Sequence, residues 1–284
     1  MIRLFLDTDI GPDCDDAGAL QLIHTLCDSG EADLLGVTHC TGSPYGLPAI
    51  SAINRVNGRE VPLGTSPRRD FLSGENCLRY TRPVAERFDH AYRRGEPQRL
   101  ALPVFREVLL AQPDGSVTLC AIGPLNNLAE YLAACPELIG QKVRLLVMMA
   151  GRFDQEEPEW NVAQDIPAAR SVIENWPTPA VLCGWECGAG VLSGQSLSRY
   201  DRHPVKEAYR LYCGEGMARD SWDLLTALFA VRGEGDLLGA GAPGFVRVDD
   251  SGVTRFAEDP AGNRRYVINR ADKTAIAAAL NELL

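Results

Sequence analysis

Residues 1–16, MIRLFLDTDIGPDCDD, decide how the rest of the chain is read. An apolar run from Ile2 to Leu6 gives way to five aspartates within ten positions: Asp7, Asp9, Asp13, Asp15 and Asp16. A short, continuous apolar run suits a strand buried on both faces of a parallel sheet. Gly11 and Pro12 break the chain, and Asp15-Asp16 then opens a helix. Its apolar positions, Ala17, Leu20, Ile23 and Leu26, recur at helical spacing until Ser29-Gly30 ends the run. The acidic cluster therefore falls on a strand-to-helix loop at the carboxyl edge of a sheet, where open α/β folds bind ligands. Carboxylates this dense repel one another, and an unpaired buried charge is costly. Oxygen donors without His or Cys point to a hard divalent cation, Ca²⁺ or Mg²⁺, as the neutralising partner.

The pattern repeats outward from that unit. Apolar runs at Asp33–Thr38, Val117–Ile122, Val143–Met149 and Pro179–Cys183 read as strands, with a shorter one at Val61–Leu63. Helical spacing falls between them, at Leu47–Asn57, Leu102–Ala111, Leu125–Ala134 and Ile166–Asn175. Residues 65–100 are an Arg-rich excursion with a short helix near Val84–Tyr92. The region 192–238 reads as mostly helical, including Leu224–Val231. Phe245–Val248, Val253–Phe256 and Arg265–Ile268 are separated by turn signals and suit late antiparallel strands, before a closing helix at Thr274–Leu284. The expectation is an open, mostly parallel, Rossmann-like central sheet flanked by helices, in one domain over residues 1–284.

A net charge of −10 argues against a nucleic-acid backbone binder, while leaving room for a small neutral ligand. The nine cysteines are scattered, odd in number and without a CxxC pair, so they read as reduced thiols. The apolar start stops at Asp7, and no apolar run reaches the ~20 residues of a membrane span, so the expected location is cytoplasmic.

The acidic loop, DTDIGPDCDDA, resembles the DTDPGxDDA motif of the inosine-uridine-preferring nucleoside hydrolases, with Ile10 for Pro and a loop two residues longer. Three later blocks strengthen the resemblance: Ala121–Ala129 (AIGPLNNLA), Glu159-Trp160-Asn161 with Asp165 beyond, and Ser221-Trp222-Asp223. All four stand in the family's order across residues 4–230.

The resemblance implies Ca²⁺-dependent hydrolysis of the N-glycosidic bond of a ribonucleoside by a homodimer or homotetramer. Carried over residue by residue, the metal ligands are Asp9, Asp16, Asp223 and the main-chain oxygen of Ile122. Asp9 is also the base that takes a proton from water. Asp15, Glu159 and Asn161 are the ribose contacts. Asp7 supports the loop, and Asp13, in the insertion, is a solvated acid.

The departures lie on the base side. Trp222 stands where the family often carries a His, which suits purine stacking rather than side-chain acid catalysis. Ser43 takes the place of an expected Asn, Asp154 is the nearest polar residue for another, and His39 is a further candidate facing the pocket. Two other readings stay open. One is a phosphatase using Asp7 and Mg²⁺; the other is a nucleoside- or ribose-binding member that is catalytically weak or inactive.

Overall fold

The computed structural model describes residues 1–93 and 97–284. The chain opens with β1 (Ile2–Thr8), α1 (Asp15–Asp28), β2 (Ala32–His39), α2 (Gly46–Val56) and β3 (Leu63–Thr65). Then follow α3 (Thr81–Arg87), α4 (Ala101–Leu110), β4 (Val117–Ala121), α5 (Asn126–Ala134), α6 (Pro136–Lys142) and β5 (Val143–Met149). Next come α7 (Trp160–Gln164), α8 (Ile166–Asn175), β6 (Ala180–Cys183), α9 (Trp185–Gly188), β7 (Leu192–Ser193), α10 (Pro204–Cys213), β8 (Arg219–Asp220) and α11 (Trp222–Arg232). The chain closes with β9 (Leu238–Ala240), β10 (Gly244–Val248), β11 (Thr254–Glu258), β12 (Arg264–Asn269) and α12 (Lys273–Leu283).

The main sheet runs β11-β10-β12-β6-β5-β4-β1-β2-β3, with β9 paired to β12. Every pairing from β12 through β6, β5, β4, β1, β2 to β3 is parallel. The pairings of β10 with β11, β10 with β12, and β9 with β12 are antiparallel. This is the mostly parallel α/β sheet with late antiparallel strands that the sequence predicts.

From β1 the chain first winds outward through β2 and β3, then returns to place β4 on the other side. The order reverses at β1 and β4, and the crevice beyond their carboxyl ends is the topological switch point. Side chains alternate across β1: Leu4 and Leu6 join the core beneath α1, α2 and α11, while Phe5 joins the core under α4, α5 and α8. Helix α1 packs directly against α11 and so joins distant segments of the chain.

Several boundaries differ from the sequence reading for identifiable reasons. Strand β3 starts at Leu63 rather than Val61 because Pro62 has no N–H for the ladder; its carbonyl instead accepts from Val37 at 3.0 Å. Helix α3 begins at Thr81, since Pro83 is tolerated in a first helical turn. In the 65–100 excursion, residues 94–96 lie outside the described residues. The stretch expected to be helical also contains two two-residue strands, β7 and β8, which pair antiparallel across the intervening α10. No described helix is long and apolar enough to cross a membrane, and each of the nine cysteines is free.

Candidate active site

Strand β1 delivers the acidic loop to the switch point, and short-range hydrogen bonds hold it there. The Thr8 hydroxyl donates to Asp16 and accepts from the Ile10 N–H at 3.1 Å. Asp7 is sealed beneath the loop, where the Thr38 hydroxyl and the Asn127 amide (2.8 Å) both donate to its Oδ1. Burial outweighs those donors and pushes the Asp7 carboxyl up to about 7.

Above Asp7, carboxylate oxygens of Asp15, Asp16 and Asp223 lie within 4.8 Å of one another, and all three residues are buried. Asp9 lies against the same group: burial raises its pKa well above 3.8, and the neighbouring Asp16 and Asp15 raise it further. Burial and mutual repulsion likewise push Asp15 and Asp223 well above the carboxylate range, and Asp16 up to about 7. Asp15 and Asp16 open α1, and Asp223 lies in the first turn of α11, so two helix N-termini face the cluster. Gly123 makes the fit possible, since a Cβ there would sit 2.7 Å from Asp9 Oδ1. Asp9, Asp15, Asp16 and Asp223 are four buried carboxylates whose oxygen donors fit a hard divalent cation, and Arg219 is the one cation among the described lining residues.

The carboxylates line a cavity of about 340 Å³, within the range of small-molecule sites. Its floor carries Ile122, Met149, Glu159 and Asn161. Glu159 caps α7, accepting from the N–H groups of Asn161 (2.7 Å) and Val162 (3.2 Å), and burial pushes it up to about 7. The Asn161 amide donates to the Ile122 carbonyl at 3.3 Å and to Met149 at 3.1 Å. Trp160, Trp185, Trp222 and Tyr212 also line it, with Arg219 against Trp222 and Tyr212. Trp222 Nε1 donates to the Trp185 carbonyl at 2.8 Å, and the two indoles are 6.2 Å apart and tilted by 34°.

Of the residues named from sequence, Asp9, Asp15, Asp16, Ile122, Glu159, Asn161, Trp222 and Asp223 line this cavity. The structure puts Asp15 into the tight carboxylate trio, with Asp9 alongside. Three candidates stand off the cavity. His39 is fully buried and packed on Gly46, within reach of the Ile10 carbonyl (3.3 Å) and the Thr41 hydroxyl (3.1 Å). Ser43 is buried and receives the Tyr45 N–H at 3.3 Å, closing a turn. Asp154 pairs with Arg152 at 2.8 Å on the loop after β5.

Asp13 is not a solvated acid: its carboxylate grips the Arg219 guanidinium, with both oxygens 3.0 Å from Nε. Trp185, Tyr212 and Arg219 were missed from sequence. Trp185 follows the end of β6, and that position at the sheet's carboxyl edge was the available signal. Tyr212 and Arg219 carry no local signal.

The profile of the inosine-uridine preferring nucleoside hydrolases matches residues 4–281. In sequence the chain is 33% identical over 204 residues to the non-specific ribonucleoside hydrolase RihC of Escherichia coli, covering 64% of this chain and 61% of that protein. It is 30% identical over 187 residues to an uncharacterized protein of Schizosaccharomyces pombe, covering 61% of this chain and 58% of that one. These alignments span less than two thirds of the relatives' own lengths. In structure it is similar to an inosine-guanosine nucleoside hydrolase, with a TM-score of 0.77, 21% identity, and coverage of 100% of this chain and 98% of that one. A purine-preferring ribonucleoside hydrolase from Gardnerella vaginalis gives a TM-score of 0.76 at 18% identity, over 99% and 97% of the two chains. At these identities the likeness speaks to the fold. With a match over nearly its whole length, the chain belongs to the inosine-uridine preferring nucleoside hydrolase family.

Proposed function

We propose that this chain, acting as one unit over residues 1–284, hydrolyses the N-glycosidic bond of a purine ribonucleoside to free base and ribose with the help of Ca²⁺. The observation that carries the reading is a single cavity lined both by buried carboxylates and by three indoles. Bound by Asp9, Asp16, Asp223 and the Ile122 carbonyl, Ca²⁺ would supply Lewis acidity and make water easier to deprotonate. Asp15, Glu159 and Asn161 face the ribose. Asp9 takes a proton from the attacking water. As the glycosidic bond lengthens, positive charge grows on the sugar, and the surrounding carboxylates favour it. Trp222 stacks on the base, and the larger purine gains more from that contact than a pyrimidine.

The test is ribose release from a panel of ribonucleosides by the purified chain in Ca²⁺. The expected result is turnover that is fastest on purines, abolished by chelation, and lost in Asp9→Ala with the fold retained. Nucleoside binding without release of ribose across the whole panel would assign the chain to a binding role instead.

A further inference from the structure

The cavity holds one cation, Arg219, among its described lining residues, set against the Trp222 and Tyr212 rings. It sits on β8, and Asp13 anchors it from the insertion in the acidic loop, across 206 positions. Asp13 is itself fixed, because its Oδ1 accepts the Cys14 N–H at 2.6 Å. The guanidinium carbon lies 5.0 Å from the Trp222 ring centroid and 5.6 Å from that of Tyr212. Stacking, ion pair and loop therefore hold the group beside Trp222 in the cavity lining.

A guanidinium carries five N–H donors and no acceptor. Nε and one Nη2 hydrogen are committed to Asp13, and one Nη1 hydrogen leans on Asp220 at 3.4 Å. The remaining two can meet a ligand. The Trp222 N–H is already spent on the Trp185 carbonyl. The carboxylates nearest the guanidinium are spent: Asp13 on Arg219, and Asp220 on Arg219 and the Gly190 N–H. Apart from the Tyr212 hydroxyl, which can donate or accept, what these residues offer a base edge is hydrogen-bond donors. Asp13 also compensates the charge, so a neutral acceptor suits the site better than an anion beside four carboxylates.

We propose that Arg219, positioned by Asp13, is the base-recognition residue of this chain and selects 6-oxopurine ribonucleosides over 6-aminopurine ones. A 6-oxopurine presents O6 and N7 as adjacent acceptors, the pattern that arginine reads bidentately, whereas a 6-aminopurine sets an N–H₂ donor against the guanidinium. The same contact assists departure. The C1′–N bond breaks with its electron pair going to the base, and a C1′–O bond forms from water. One proton of that water passes through Asp9 to solvent, and the base takes a proton from solvent. Arg219 stabilises the charge that develops on O6 and N7 before that proton arrives.

This inference rests on the ribonucleoside hydrolase reading, and the test separates the two. We would measure kcat/KM in Ca²⁺ for inosine, adenosine and p-nitrophenyl β-D-ribofuranoside, whose leaving group needs no help, in the wild type, Arg219→Gln, Arg219→Lys and Asp13→Asn. The wild type is expected to favour inosine over adenosine by about tenfold or more. Arg219→Gln should erase that ratio by lowering the inosine value, while cleavage of the nitrophenyl riboside stays within about threefold. Arg219→Lys should keep part of the ratio, and Asp13→Asn should shift it the same way as Arg219→Gln but less. Equal use of inosine and adenosine by the wild type, or equal loss on all three substrates in Arg219→Gln, would overturn the proposal while leaving hydrolysis intact.

If no riboside is cleaved, the hydrolase reading falls, and quenching of indole fluorescence by free hypoxanthine against adenine decides the recognition claim. Tighter hypoxanthine binding that Arg219→Gln weakens about tenfold supports it; equal binding of the two bases ends it.

Discussion

The Asp15 carboxylate accepts the backbone N–H of Asp223 at 3.2 Å, although the two residues stand 208 positions apart. That bond joins the first turn of α1 to the first turn of α11 and closes the carboxylate cluster. The cluster's opposing electrostatics lead to the predictions below.

Removing one of the crowded carboxylates should have opposite effects with and without cation. In EDTA, Asp223→Asn relieves repulsion among buried acids and is expected to raise the melting temperature. In Ca²⁺ the wild type should gain stability through linkage, about 2.7 kcal/mol at a ligand concentration of 100 Kd, and the variant should not. Thermal scans of both proteins in both buffers decide this; a variant that gains as much from Ca²⁺ as the wild type would remove Asp223 from the cation site.

The pH dependence of stability should change sign with cation. Asp7, Asp16 and Glu159 sit at about 7 in the folded chain against 3.8 or 4.5 ordinarily, and Asp9, Asp15 and Asp223 are raised as well. Between pH 4 and 7 the folded chain keeps protons that the unfolded chain has lost, so these groups weaken folding as pH rises. Buried His24, His39 and His203 fall to about 4 from 6.5 and act in the opposite sense, weakening folding as pH falls through that window. Six acids outweigh three imidazoles, so in EDTA the protein should be more stable at pH 5 than at pH 7.5. Ca²⁺ holds the cluster ionised, and stability should then be greater at pH 7.5. Urea midpoints at the two pH values, with and without Ca²⁺, check both signs.

Trp222→Ala should raise KM for purine nucleosides by about tenfold, given ~1–3 kcal/mol per stacked base. Trp222→Phe keeps a stacking face while losing the hydrogen bond to the Trp185 carbonyl, and it should stay within about threefold of the wild type. Equal damage from both substitutions would mean that the indole N–H, rather than the ring face, is what matters.

Gly123→Ala would put a methyl group 2.7 Å from Asp9 Oδ1 and 2.8 Å from the Asp9 backbone nitrogen. Overpacking of this kind costs about 1–3 kcal/mol. Here the strain falls on the proton acceptor itself, so activity should drop more than a hundredfold while circular dichroism stays native. A variant with normal kcat would show that Asp9 tolerates displacement.

Much of the frame was legible because its signals are local. Strand β5 at Val143–Met149 and helix α8 at Ile166–Asn175 emerge with the bounds read from sequence, since apolar runs and capping residues act over a few positions. Shorter elements escaped: β7 and β8 have two residues each, too few to show any period. Helix α7 spans five and owes its start to the Glu159 cap, hidden inside a polar loop. His39 lies at the end of β2, where the local sequence is the same whether the ring meets the cavity or the backbone of Gly46.

The sequence by itself determined the strand-loop-helix unit at residues 2–28, the mostly parallel sheet around it, the family, and an acidic cluster that calls for a cation. Each follows from hydrophobic period, turn chemistry or charge density within a short window. Only the tertiary structure decided which carboxylates share one centre, which candidates stand off the cavity, and that Asp13 grips Arg219 instead of facing water. Those relations join α1 and its loop to β8 and α11 across about two hundred residues, and they depend on how helices pack over a sheet whose order reverses at β1. Charge and spacing along the chain place acids near a strand end; packing chooses their partners.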